Sequence, residues 1–134
     1  QNSFLNYIFG IMEIILILIK ITIAIGILNV WIIRFNQETP WRGGDAKSLK
    51  EEFNVYGLPS WFIYLIGAFK ITLAGLLIIG LWIESLNLYA SGLMILLMIG
   101  AILMHVKVRD PLKKSIPAFS MIILLLTVLI NSIN

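Results

Sequence analysis

The stretch "IFGIMEIILILIKITIAIGILNVWII", Ile8 to Ile33, decides what kind of protein this is. A helix needs about 20 residues to cross the ~30 Å hydrocarbon of a bilayer, and this run exceeds that. It is apolar on every side, so it has neither the single stripe of a soluble amphipathic helix nor the period-two alternation of a membrane strand. Its only charges are Glu13 and Lys20. Three further stretches of the same kind follow, about Trp61 to Ile83, Leu86 to Val106 and Ile116 to Ile133. Lipid offers no water to satisfy backbone polar groups, so such stretches must be helices. Pro117 suits the first turn of the last one, where a missing N–H costs little. The expected fold is all-α, an integral membrane four-helix bundle forming one domain over residues 1–134.

Composition agrees. Of 134 residues 60% are hydrophobic and 13% charged, with a mean hydropathy of +0.98. Soluble domains run near 45–50% apolar and ~25% charged. There is no cysteine, which excludes disulfides, a CxxC redox pair, iron–sulfur ligation and covalent haem attachment. The N-terminal run lacks a basic flank and an A-x-A-like site and is longer than a signal-peptide core, so it is expected to stay as a span.

The net charge of +3 is explained by topology rather than by nucleic acid, which is not an expected partner. Arg34, Arg42, Lys47 and Lys50 lie between the first two spans, and Lys107, Arg109, Lys113 and Lys114 between the last two. The turn around Glu84 and both ends of the chain have no Lys or Arg. Short basic loops stay cytoplasmic, so both termini are expected on the non-cytoplasmic side, in a bacterial inner membrane or an equivalent internal membrane. Trp31 and Trp61 are expected at the cytoplasmic boundary, and Phe4, Tyr7, Trp82 and Tyr89 at the other, as an interfacial belt.

In the long connection, residues 34–59, Ala46, Leu49 and Phe53 recur at helical spacing after the Gly43-Gly44-Asp45 turn, with Asp45 the expected cap. This predicts a short amphipathic helix lying on the cytoplasmic membrane surface, ended by "YGLP", Tyr56 to Pro59. A plain linker is the alternative.

Chemistry should reside in the few polar residues inside the spans. Lys20 and Lys70 occupy similar contexts, "KITIA" and "KITLA", each near mid-depth, where a charge costs about 2.5–3.5 kcal/mol on insertion scales. Snorkelling to the interface is one explanation; lining a shared polar pocket with Glu13, Tyr64 and Thr72 is the other. A buried lysine can donate to a quinone carbonyl, hold an anionic headgroup or relay a proton. Met94, Met98, Ala101 and His105 share one face of the third span. A lone histidine with no cysteine cannot supply bis-His or thiolate ligation, so no metal site is expected. Small residues, among them Gly26, Gly67, Gly75, Gly92 and Gly100, are expected to let helices approach closely.

Two segments carry a family resemblance. "YGLPSWFIYLIGAFKITLAGLLIIGLW", Tyr56 to Trp82, and "MIGAILMHVKVRDPLKKSIPAF", Met98 to Phe119, resemble DoxX-like membrane proteins, and the resemblance extends to the four-span plan. By similarity Gly67, Lys70, Gly100, Ala101, His105, Asp110, Pro111 and Pro117 match family-pattern positions, whereas the first span matches poorly. The resemblance implies a small subunit of a quinol oxidase or a thiosulfate:quinone oxidoreductase, or a relative of one. The expected function is therefore an accessory subunit of a quinone-linked or redox membrane complex, not catalytic on its own. Its expected partners are membrane lipids and other membrane-protein subunits, and a quinone or a lipid is the expected non-covalent ligand. A non-enzymatic assembly subunit or a small transporter are the alternatives.

Overall fold

A computed structural model describes residues 2–134, and all of its regular elements are helical. Helix α1, Asn2–Leu28, continues through a π-helical turn, Asn29–Ile33, closed by the Arg34 N–H on the Asn29 carbonyl. A short α2, Leu49–Val55, precedes α3, Ser60–Ile79; α4, Ser85–Lys107, and α5, Ile116–Ile133, complete the chain. The four long helices are each apolar enough to cross a membrane. The fourth span begins in a 3₁₀ turn, Leu112–Ser115, opened by Pro111. The protein is an integral membrane protein.

The long helices close into a ring in which α1 touches α3 and α5, and α4 touches α3 and α5. Each contributes one inward stripe. In α3 it is Ile63, Gly67, Lys70, Ala74 and Leu77; in α4 it is Asn87, Ser91, Met94, Met98 and His105. The alternating steps of three and four are the seam spacing of packed helices. Ile23, Leu77, Ala90, Met94 and Leu125 are sealed at the centre, while Phe69, Leu96, Leu103 and Ile123 face outward, where lipid is their solvent.

Two expectations about α1 are corrected. The continuous helix from Asn2 to Ile33 is 32 residues, about 48 Å, far more than a bilayer's hydrocarbon requires. Its buried residues begin only at Lys20, because α3 is much shorter and leaves the first half of α1 without a partner inside the chain. Trp31 is also not interfacial. It is 7% exposed, on the same stripe as Ile23 and Ile27, with its ring against Gly67 of α3. Trp61, Trp82 and Tyr89 are exposed near helix ends, as a belt requires.

The close approach of Trp31 to Gly67 leaves no room for a side chain. A Cβ at Gly67 would lie 2.9 Å from Trp31 Cε3. Gly67→Ala is therefore expected to push the indole out of its seat and to cost about 1–3 kcal/mol. Trp31 is the one buried tryptophan, so the variant's fluorescence should shift to the red. An unchanged spectrum would show that the ring tolerates the methyl group. Gly75, Gly92 and Gly100 have no neighbour within 4 Å of such a Cβ, so they do not serve helix approach as expected.

Candidate functional site

At the end of the bundle where α1, α3 and α5 meet the long connection, the ring of helices opens into a cavity of about 630 Å³. Pockets of roughly 300–1,000 Å³ are the usual size for small-molecule sites. Its walls are mostly apolar, with Trp31, Phe53, Phe62, Met98 and Met121 among them. A string of rings runs along one side: Trp31 meets Phe53 edge-on at 5.9 Å, Phe53 meets Tyr56 at 6.2 Å, and Tyr56 meets His105 edge-on at 5.9 Å.

Helix α2 closes this cavity, which corrects the expectation of a helix lying on the membrane surface. Ala46, Leu49 and Phe53, the apolar side read from the sequence, are buried against the bundle rather than turned to lipid. The cap is Ser48, not Asp45: the Ser48 hydroxyl accepts the Glu51 N–H at 3.1 Å, and Glu51 accepts the Lys47 N–H at 2.8 Å. The far end of α2 finishes at Gly57, whose positive φ lets the Leu58 N–H reach the Phe53 carbonyl at 2.9 Å.

Glu52 holds the closure together from inside. Its carboxylate accepts the Tyr56 hydroxyl at 2.8 Å and the Gly43 N–H at 2.6 Å, and pairs with Arg42 at 3.4 Å. Arg42 in turn donates to the carbonyls of Arg34 at 2.5 Å and Gln37 at 3.1 Å. Arg42 and Glu52 are both buried. Burial, then the charge and hydrogen bond of Glu52, then Asp110, hold the Tyr56 phenol far above its ordinary value, and Arg42 opposes them only in part. Tyr56 therefore stays a donor.

At the end of the string of rings His105 Nδ1 lies 2.7 Å from Asp110 Oδ2. The chain reaches this geometry through a helix-ending motif in which Arg109 takes positive φ. The Asp110 N–H returns to the His105 carbonyl at 3.0 Å and the Arg109 N–H to Val106 at 3.0 Å, turning the carboxylate back onto the ring. Asp110 also accepts the Gly44 N–H at 3.0 Å and lies 3.8 Å from Lys114. Burial alone would raise its carboxyl, but the bonds from His105 and Gly44 and the charge of Lys114 outweigh it and hold the pKa below the ordinary 3.8.

This depression has a sign. A group whose folded pKa is lowered stabilises the fold above its unfolded value and loses that contribution as pH falls through the folded one. The Gly44 amide should thus be protected from exchange at every pH above 3.8 and released only in stronger acid. In Asp110→Ala the protection should be gone at neutral pH. Hydrogen exchange across Gly43–Leu49 measures both; an unchanged Gly44 in the variant would show that the bond does not hold the loop.

Lys70 is the polar group that the closure leaves unused. It is 8% exposed, lines the cavity, and its ammonium stands 5.1 Å from the Trp31 ring centroid. Among the described residues no hydrogen bond or salt bridge reaches it; its contact is the cation–π one. The structure does not bring Lys20 to the same place. Lys20 precedes Trp31 by eleven helical residues, about 16 Å along α1, and the charge that acts on it is Glu84 at the other end of the bundle. Antiparallel packing sets the two lysines at different depths because Trp31, not Lys20, is level with Lys70. Glu13, Tyr64 and Thr72 are exposed on the outer faces of α1 and α3 and do not line the cavity. Gly100 and His105 do; Asp110 stands behind His105, Gly67 behind Trp31, and Pro111 begins the turn into α5.

The composition of the cavity cannot be read from spacing alone. Glu52, Arg42 and Tyr56 come from a connection of ordinary appearance, and their role depends on α2 folding inward. Among the described residues no cluster of three or more His, Asp or Glu side chains could hold a metal ion.

The DoxX-like family matches residues 43–130, about two thirds of the sequence. The chain belongs to the DoxX-like family. The matched segment starts at the Gly43–Gly44 latch and runs through α2, α3, α4 and most of α5, so this DoxX-like protein carries Glu52, Lys70, His105 and Asp110 within its family region. Helix α1, with Glu13, Lys20 and Trp31, lies outside it. Searches among curated proteins and among solved structures found no match.

Proposed function

We propose that this DoxX-like protein is an accessory subunit of a quinone-linked membrane complex and that its cavity receives the ring of a quinone. The single observation that carries the reading is Lys70, a buried ammonium without a hydrogen-bond partner in a cavity walled by rings. A charge in a span is expensive, and such residues generally serve a ligand or a pathway.

The residues fit the ligand. A quinone ring is flat and apolar, as are the Trp31, Phe53 and Phe62 walls, and it carries a carbonyl at either end. Lys70 supplies an N–H donor for one carbonyl, and the ring of His105 is a second polar group in the lining. A bound quinone would contribute its own two-electron chemistry. The chain's part is to bind, to orient through Lys70 and His105, and to exclude water through α2 and Glu52. The isoprenoid tail would leave between helices into lipid.

The eight basic residues of the two connections support placing the cavity mouth on the cytoplasmic side of a bacterial inner membrane. Lys47 is exposed, and Lys47→Cys and Asn134→Cys should label from opposite faces of the membrane. Labelling of both from one face would contradict the orientation.

Titration of a short-chain quinone into the protein in lipid nanodiscs tests the binding. Quenching of the tryptophan emission that saturates is expected, since Trp31 and Trp41 line the cavity; a linear, non-saturating response would match partitioning into lipid and overturn the reading. Purification in mild detergent should also bring down a redox subunit. A constant neighbour without any redox activity would favour a pure assembly role.

A further inference from the structure

The His105–Asp110 pair has a geometry that ring binding alone does not use. With the Asp110 carboxylate 2.7 Å from Nδ1, the neutral His105 ring carries its proton on Nδ1 and its lone pair on Nε2. His105 lines the cavity, and among the described residues no protein group bonds Nε2. A carboxylate behind an imidazole fixes its tautomer and orientation and stabilises the imidazolium once formed.

The other charged groups around the cavity favour a negative ligand. Lys70 faces it from α3, Glu52 from α2 and Tyr56 from just after it, Arg42 and Arg34 from the connection, and Lys114 from the 3₁₀ turn before α5. Glu52 is paired with Arg42 and accepts the Tyr56 hydroxyl, which offsets its repulsion of an anion. Lys114 is engaged with Gly44 and Asp110. Among the described residues Lys70 has no salt-bridge partner.

We propose that His105, positioned by Asp110, takes the proton of a ring hydroxyl on the bound ligand, so that the cavity selects hydroxylated rings of the quinol or hydroxyquinone class and holds them as the oxyanion. In this step the ligand O–H bond breaks, an Nε2–H bond forms, and the electron pair stays on the ligand oxygen. No oxidant is required. The oxyanion is stabilised by the Lys70 ammonium in a site of low dielectric, and the imidazolium by Asp110. The proposal rests on the ring-binding reading given above.

The probe is 4-nitrophenol, whose anion absorbs at longer wavelength than the neutral phenol and spreads its charge across the ring to the nitro group. It is titrated into the protein in nanodiscs at a pH where the free phenol is mostly neutral, with a short-chain quinone as competitor. The expected result is an anion band that saturates, is displaced by the quinone, and titrates about one pH unit or more below the free phenol. His105→Gln, which can keep a bond to Asp110, should still bind the phenol but in the neutral form; Asp110→Asn should move the apparent titration upward. 4-Nitroanisole, which has no hydroxyl, should bind at least tenfold more weakly. A phenol displaced by quinone but bound neutral to the unaltered protein overturns the proton transfer and leaves the quinone site standing. A phenol that the quinone fails to displace, or no saturable binding of either, overturns both. The unaltered protein decides these outcomes even if a variant does not fold.

Discussion

Lys70→Met is expected to weaken binding of a short-chain quinone by at least tenfold while leaving the thermal midpoint unchanged or raised. The two directions follow from one fact. The ammonium is buried without a carboxylate or hydrogen-bond partner among the described residues, so the fold carries its desolvation and gains only the Trp31 contact in return. Methionine keeps most of the volume and removes the charge. A bound ligand loses a hydrogen bond to a charged donor, about 1.5–3 kcal/mol, or roughly tenfold to a hundredfold in affinity. Quinone titration and a thermal melt on the same preparations give both numbers. A variant that binds as well as the unaltered protein would remove Lys70 from the site; one that melts much earlier would make it a structural residue.

Glu52→Ala should have the largest effect on stability. It deletes a buried carboxylate that accepts the Tyr56 hydroxyl, the Gly43 N–H and the Arg42 guanidinium, and it leaves Arg42 buried and uncompensated. Breaking a buried pair in this way costs about 3–5 kcal/mol. The loss should be local, because Glu52 bonds only within the connection, while Gly44 to Asp110, Lys107 to the Tyr56 carbonyl and the packing of Leu49 and Phe53 still tie it to the bundle. Hydrogen exchange should rise across residues 42–56 while α4 stays protected. Glu52→Gln, which can still accept two of the bonds, should lose less. Equal exchange in all three proteins would show that Glu52 does not hold the cap.

The four spans were legible because lipid imposes a crude requirement, about 20 apolar residues per crossing, that composition answers directly. Ile116 to Ile133 is the extreme case, expected and found with the same limits. The inward seam of α4 could also be read, since Met94, Met98, Ala101 and His105 follow helical spacing whatever the helix packs on. Depth could not. Lys20 and Lys70 sit in near-identical pentapeptides, yet register between α1 and α3 is set by Trp31 seating on Gly67, a contact between residues 36 apart in sequence. The site residues from the connection were hidden for a related reason. Leu49 and Phe53 look the same whether the apolar side meets lipid or protein, and only the partners of Glu52 decide between them. Asp110 was read through resemblance; its physical role needs the turn at Arg109 that brings it onto His105.

The central claim is that the ring-lined cavity beside Lys70 and His105 holds a quinone. Photolabelling with an azido-quinone in nanodiscs, followed by peptide mapping, tests it most directly. The claim predicts label on the peptides that carry Trp31, Phe53 or Met98, suppressed by excess unlabelled quinone and lost in Lys70→Met. Label spread over the exposed faces at Tyr64, Leu103 and Ile123, and indifferent to competitor, would contradict it.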